Sequence, residues 1–231
     1  MSDTIDVPTL DGPMPAQVWL PAAGRGPGIL LLQEIFGVSA YIRRRAQDLA
    51  ALGYVVVAPE VFWRLGVSEV ENGPGMLDEA MGLLGRLDWD AAVADSLAAL
   101  DVLRSRPEVT GTIGVVGFCF GGGLGYAVAA ASPAEALVSF YGSALPDLVT
   151  AVPSVSTPSL HHFGEADSYI PMPAVERVRD SVSAGGPVEF HTYPGADHAF
   201  DNSDFFGHHP EASALAWQRT EEWLARNLPV D

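Results

Sequence analysis

The chain contains no lysine and a single cysteine, and no stretch of it reaches the roughly 18 consecutive apolar residues that a bilayer span requires. Its 12 basic residues are all arginine and stand against 29 acidic ones, for a net charge of −17. A surface so poor in positive charge repels polyphosphates and anionic bilayers, so neither nucleic acid nor a membrane is an expected partner. One cysteine cannot close an internal disulfide, which fits a reducing compartment. Residues Met1 to Asp6 lack a basic stretch leading into an apolar one, so no signal peptide is expected and the cytoplasm is the default location.

What is present is apolar material: 48% of the 231 residues are hydrophobic. That supports one substantial α/β domain over residues 1–231, with a monomer as the plain expectation for its size. Thr4 to Leu20 reads as a short antiparallel hairpin. Gly28 to Gln33 and Tyr54 to Ala58 are continuous apolar runs, the pattern of strands buried on both faces. A helix from Tyr41 to Leu52 separates them and stops at Gly53. Arg64 to Gly75 is loop-like, and helices are expected over Met76–Leu87 and Asp88–Arg104. Further strands are expected at Thr112–Val116, Ala136–Phe140, Ser159–Phe163 and, at an edge, Val188–Tyr193. Helices are expected at Pro173–Ser183 and Pro210–Leu228, the last anchored by Leu215, Trp217 and Trp223. Strands alternating with helices imply a mostly parallel sheet with helices on both faces and a ligand crevice at the strands' carboxyl ends.

Gly117-Phe118-Cys119-Phe120-Gly121 follows one of these strands and precedes an apolar, glycine-rich helix. This is a G-x-C-x-G nucleophile elbow with cysteine in place of serine. The sharp turn needs neighbours without a Cβ, and the helix N-terminus favours a thiolate. The plain alternative is a small buried hydrophobe, the commonest role of a lone cysteine. The glycines nowhere form G-x-G-x-x-G, which removes a dinucleotide fingerprint.

A thiol nucleophile needs a base, and the base needs an orienting acid. Gly164-Glu165-Ala166-Asp167 and Gly195-Ala196-Asp197-His198 each follow a strand, so Asp167 and His198 come after Cys119 in the order nucleophile, acid, histidine. Asp197 is a rival acid, although an immediate neighbour rarely points at the same ring. His161 and His162 lie within a strand and read as core residues. His208 and His209 read as solvated, and no histidine pair has zinc-ligand spacing. After the Gly28–Gln33 strand, Gln33-Glu34-Ile35-Phe36-Gly37 occupies the place of an oxyanion loop. The amides of Ile35 and Phe120 are its candidate donors. Glu34 is either a buried carboxylate or a solvated turn residue.

These segments, together with Phe140-Tyr141-Gly142, resemble the dienelactone hydrolase family, a branch of the α/β-hydrolases, in order and over almost the whole chain. The resemblance implies an α/β-hydrolase fold and a Cys119–His198–Asp167 triad. It implies a glutamate, Glu34, that gates the thiol, and a pocket tyrosine, Tyr141. It departs from the dienelactone-specific members at their two substrate-carboxylate arginines, where this chain has residues near Leu77 and Asn202. Arg64 or Arg86 could substitute for them. The leading expectation is a cofactor-free hydrolase of esters or lactones acting through a thioester, with no metal. Phe36, Trp63, Arg64, Tyr141, Phe200 and Asn202 would line its pocket, with Phe205 and Phe206 as further candidates. One alternative is a short-chain esterase or thioesterase inactive on dienelactones. The other is a non-catalytic small-molecule binder or redox-sensing thiol.

Overall fold

Residues 2–152 and 155–230 are described by the structure, a computed structural model. The chain divides into two units, residues 2–113 with residue 230, and Gly114–Pro229.

In the first unit, β1 (Asp3–Thr9) and β2 (Gly12–Trp19) form the antiparallel hairpin expected from the sequence. Strand β3 (Gly26–Leu32) pairs parallel with β4 (Val55–Pro59), and β4 pairs antiparallel with β2. Every residue of β3 and β4 is buried, which is why both read as unbroken apolar runs. Helix α1 (Ala40–Ala51) packs on β2 and β4. A 3-10 turn follows at Trp63–Leu65, then α2 (Met76–Leu84) and α3 (Trp89–Ser105), which packs on β1, β3 and β4. Asp88 caps α3 by accepting the Ala91 N–H, so this helix starts one residue later than the sequence suggested. Strand β5 (Val109–Phe118) begins in this unit.

In the second unit, β5 from Gly114 onward pairs parallel with β6 (Ala136–Phe140), β6 with β7 (Ser159–Gly164), and β7 with β8 (Val188–Tyr193). β6 and β7 are wholly buried, whereas β8 is mostly half-buried, as befits an edge. Helix α4 (Phe120–Ala131) packs on β6 and is buried along most of its length. Helix α5 (Leu145–Ala151) was not anticipated. It is short, and Pro146 in its first turn reads as a breaker although it is tolerated there. Helix α6 (Met172–Val182) packs on α5, and α7 (Pro210–Asn227) on β6 and β7. Of the expected anchors of α7, Trp223 is buried and Trp217 is half-buried with its ring 6.5 Å from that of Phe140, but Leu215 departs from expectation. Leu215 is 41% exposed, and the buried face is Ala212, Ala216, Thr220, Trp223 and Leu224. The described strand pairs are mostly parallel, and no described helix is long and apolar enough to cross a membrane.

Candidate functional site

Strand β5 runs straight into α4 through Cys119, whose backbone sits at φ 53°, ψ −117°. A non-glycine residue there is strained by about 1–3 kcal/mol, and something must hold it. The Cys119 N–H donates to the Phe140 carbonyl at 3.0 Å, and the Cys119 carbonyl accepts from Ser143 N–H at 3.1 Å and Gly122 N–H at 3.0 Å. The end of β6 and the loop after it therefore clamp the elbow. The flanking glycines are required by close approach. A Cβ on Gly117 would lie 2.0 Å from the Gly121 carbonyl oxygen, and one on Gly122 would lie 2.7 Å from Ser139 Oγ.

Cys119 stands at the N-terminus of α4 and is 7% exposed as a residue. His198 Nε2 lies 3.1 Å from Cys119 Sγ, and its Nδ1 lies 2.8 Å from Asp167 Oδ2. An ionised carboxylate only accepts, so Nδ1 carries the hydrogen and Nε2 faces the sulfur. Asp167 is itself fixed, because its Oδ1 accepts the Tyr169 and Ile170 N–H groups, each at 2.8 Å. Cys119, His198 and Asp167 thus come together from the ends of β5, β8 and β7.

Burial alone would lower the His198 pKa. The electrostatic attraction of Cys119 and the hydrogen bonds that the ring makes to Asp167 and Cys119 outweigh it and raise the pKa to about 11. The sulfur thus lies beside an imidazole that its partners dispose to hold a proton, an arrangement able to activate a thiol.

The rival acid, Asp197, faces elsewhere. Its Oδ1 accepts from Ser168 N–H, Ser168 Oγ–H and the backbone N–H of His198. It braces the histidine's backbone rather than its ring. His161 and His162 are core residues, as expected. Burial pushes the His161 pKa down to about 3 and the His162 pKa well below the usual value. His162 contacts the Tyr193 hydroxyl at 2.8 Å and Thr220 Oγ1 at 3.1 Å. His209 is not simply solvated, since its Nδ1 caps α7 by accepting the Ala212 N–H.

Tyr141 is fully buried at φ 38°, and its ring packs edge-on against His198 with centroids 5.3 Å apart. Phe200 is also buried and meets Tyr141 at 5.3 Å. Ala199 is the third non-glycine residue at positive φ among those described, at 56°. All three strained positions adjoin the Cys119–His198 pair, a clustering common at functional sites. Asn202 is 2% exposed, and its Oδ1 accepts the Asp204 N–H at 2.9 Å, which shapes the turn after Phe200. Phe205 is buried in that turn, and Phe206 is 82% exposed. Phe120 opens α4, where first-turn amides point out along the axis.

The remaining candidates lie in the first unit. Glu34 is fully buried, which removes the solvated-turn alternative. Its carbonyl accepts the Gly37 N–H at 3.3 Å, and Ile35 and Phe36 beside it are 7% and 6% exposed. This turn is fastened to the next loop by Val38 N–H to Ser68 O and Val70 N–H to Phe36 O. Trp63 Nε1 and the Arg64 guanidinium both donate to Asp95 of α3, and Arg64 also pairs with Asp11. The Arg64 charge is therefore already matched by two carboxylates. Arg86 is exposed just beyond α2, and Leu77 is half-buried within it. A separate cavity of about 550 Å³ near Pro21, Ala50 and Gly53 is lined by one arginine and by no acid, histidine or cysteine. Among the described residues, no cluster of His, Cys, Asp or Glu could hold a metal ion.

Sequence reasoning missed Tyr169. It is 56% exposed, lies two residues beyond Asp167, and has its ring 5.2 Å from that of His198. Its only signal was its place in the loop that carries the acid.

The dienelactone hydrolase family profile matches residues 14–228. A carboxymethylenebutenolidase of Pseudomonas putida is 32% identical over 228 residues, covering 97% of each chain. Carboxymethylenebutenolidase 1 of Cupriavidus pinatubonensis is 30% identical, also over 97% of each. The crystal structure of a provisionally assigned dienelactone hydrolase from Klebsiella pneumoniae superposes with a TM-score of 0.82 at 29% identity, covering 98% of each chain. The fold class is that of the α/β-hydrolases, with a mostly parallel sheet.

Proposed function

The chain belongs to the dienelactone hydrolase family and is a hydrolase of esters or lactones, and we propose that it works through Cys119, His198 and Asp167 without a cofactor. The observation that carries this reading is the unbroken relay Sγ to Nε2 at 3.1 Å and Nδ1 to Oδ2 at 2.8 Å, built on a strained elbow.

Cys119 Sγ attacks the carbonyl carbon as a thiolate and forms a tetrahedral intermediate. The N–H of Phe120, at the positive end of α4, stabilises the oxyanion; each such donor contributes about 3–4 kcal/mol of barrier lowering. Collapse expels the alcohol, which takes the proton from His198 Nε2, and leaves a thioester. Neutral His198 then removes a proton from water, whose hydroxide attacks the thioester and releases the acid and the thiolate. Asp167 holds the ring in the tautomer that both steps need. Glu34 and Ile35 keep, as proposals, the roles the family resemblance implies: thiol gating and a second oxyanion amide.

Arg64 is held by Asp95 and Asp11, and the family resemblance implies that Asn202 stands where dienelactone-specific members have an arginine. These observations favour neutral esters over anionic lactones, because a substrate carboxylate needs a cation to receive it. The test is a panel of 4-nitrophenyl acetate and a dienelactone, each with wild type and Cys119→Ala. Acetate cleavage that depends on Cys119, with little lactone opening, supports the reading. Full activity in Cys119→Ala contradicts the mechanism, and fast Cys119-dependent lactone opening contradicts the preference for neutral esters.

A further inference from the structure

Tyr169 touches both members of the His198–Asp167 pair by different routes. Its backbone N–H donates to Asp167 Oδ1 at 2.8 Å. Its ring lies 5.2 Å from the His198 ring, at an interplanar angle of 56°. The imidazole therefore packs against two tyrosines, since Tyr141 lies 5.3 Å away at 60°. Tyr141 is fully buried and Tyr169 is 56% exposed, so the two rings differ in what they can do. Tyr141 belongs to the packed interior. Tyr169 packs on the imidazole with much of its own surface in water.

An aromatic face attracts a cation within about 6 Å of its centroid, more strongly where water is kept away. Among the described residues, two groups meet the ring nitrogens. Cys119 Sγ meets Nε2, and Asp167 meets Nδ1. Asp197 accepts the backbone N–H of His198, and the two tyrosine rings pack against the imidazole. Asp167 and the sulfur supply most of the field that favours a charged ring, and the Tyr169 ring adds an increment through its π face. Any residue but proline would supply the backbone bond to Asp167, so what the side chain itself adds is its ring against the imidazole.

We propose that Tyr169 is a positioning residue for His198: its backbone fixes Asp167, and its ring shields the imidazole and favours the imidazolium over the neutral form. The proposal rests on the Cys119–His198–Asp167 reading above. It adds that the exposed aromatic ring sets how far the pair holds its proton on the histidine, and so the alkaline limit of the reactive state.

The experiment compares Tyr169→Leu and Tyr169→Met with Tyr169→Phe in the full chain. Leucine and methionine keep the backbone N–H and much of the bulk but lose the π face. Phenylalanine keeps the face and loses the hydroxyl. The exposure of the site makes all three compatible with folding, and circular dichroism checks this. The first readout is the His198 ring-proton titration by NMR, assigned with His198→Gln. The second is kcat and KM on 4-nitrophenyl acetate across pH.

Leucine and methionine are expected to move the His198 titration down by about half to one pH unit, in keeping with a partly exposed cation–aromatic contact. They should bring the alkaline fall in kcat to lower pH by the same amount, with neutral-pH kcat and KM nearly unchanged, while phenylalanine behaves as wild type. A His198 titration unmoved in both non-aromatic variants overturns the proposal, as does a phenylalanine variant as impaired as leucine. A moved titration together with an active Cys119→Ala would uphold the positioning role and count against the triad chemistry alone.

Discussion

Asp167→Asn is the most discriminating single substitution at this site, because the backbone dictates how the new side chain must lie. Asp167 Oδ1 accepts two N–H groups, from Tyr169 and Ile170, each at 2.8 Å. An asparagine in the same place must turn its carbonyl oxygen toward those donors, since an NH2 group there would face two hydrogens. Its NH2 then points at His198 Nδ1, which must become an acceptor, and the imidazole proton moves to Nε2. A hydrogen now faces the sulfur from which the histidine is required to take one. The charge that helped to raise the His198 pKa is also gone. Steady-state and burst hydrolysis of 4-nitrophenyl acetate would measure the effect. A wrong tautomer in a triad costs about 10³–10⁴ in kcat, or roughly 4–5.5 kcal/mol of barrier. Because both backbone bonds survive, the thermal midpoint should change little. An Asp167→Asn enzyme within tenfold of wild type would mean that the tautomer does not matter.

Three further expectations follow from other parts of the chain. Ala199→Gly relieves a positive φ of 56° and should raise unfolding free energy in urea by about 0.5–1 kcal/mol, the left-handed strain less the entropy glycine adds to the unfolded chain; no gain would mean the backbone is not strained there. Asp95→Ala removes the acceptor shared by Trp63 Nε1 and Arg64, and should lower stability by about 1–3 kcal/mol, with Asp95→Asn in between; equal stability of all three chains would count against that cluster. The folded pKa of His198 is raised to about 11 from an unfolded value near 6.5, so its stabilising contribution is complete below pH 6.5 and is lost as pH rises through about 11. The stability advantage of wild type over His198→Gln should therefore be smaller at pH 10 than at pH 7, and a constant gap would contradict the raised pKa.

How much of this was legible in the sequence follows from the range of the forces involved. Strands β3, β4, β6 and β7 were readable because burial on both faces leaves an unbroken apolar run. The elbow was readable because Gly117 and Gly122 answer close contacts that admit no side chain. The order Cys119, Asp167, His198 was readable because parallel strands deliver their loops to one end of the sheet. Partners far apart in the chain were not readable. Arg64 looked available until Asp95 and Asp11, 31 and 53 residues away, were seen to hold it. Leu215 kept the apolar spacing of α7 yet faces solvent. Tyr169 is an ordinary loop residue until folding brings it against His198, 29 residues later in the chain. Asp197 could be demoted only once its carboxylate was found on Ser168 and the His198 backbone.

The central claim is that Cys119 carries the acyl group during turnover. It is tested most directly by mixing the enzyme with 4-nitrophenyl acetate, quenching in acid within the burst phase, and sequencing peptides by mass spectrometry. The account predicts one acetyl group as a thioester on the Gly117–Gly121 elbow at Cys119, its yield rising in the Asp167→Asn enzyme if deacylation slows more than acylation. Acetyl on another residue during productive turnover, or turnover undiminished in Cys119→Ala, would contradict it.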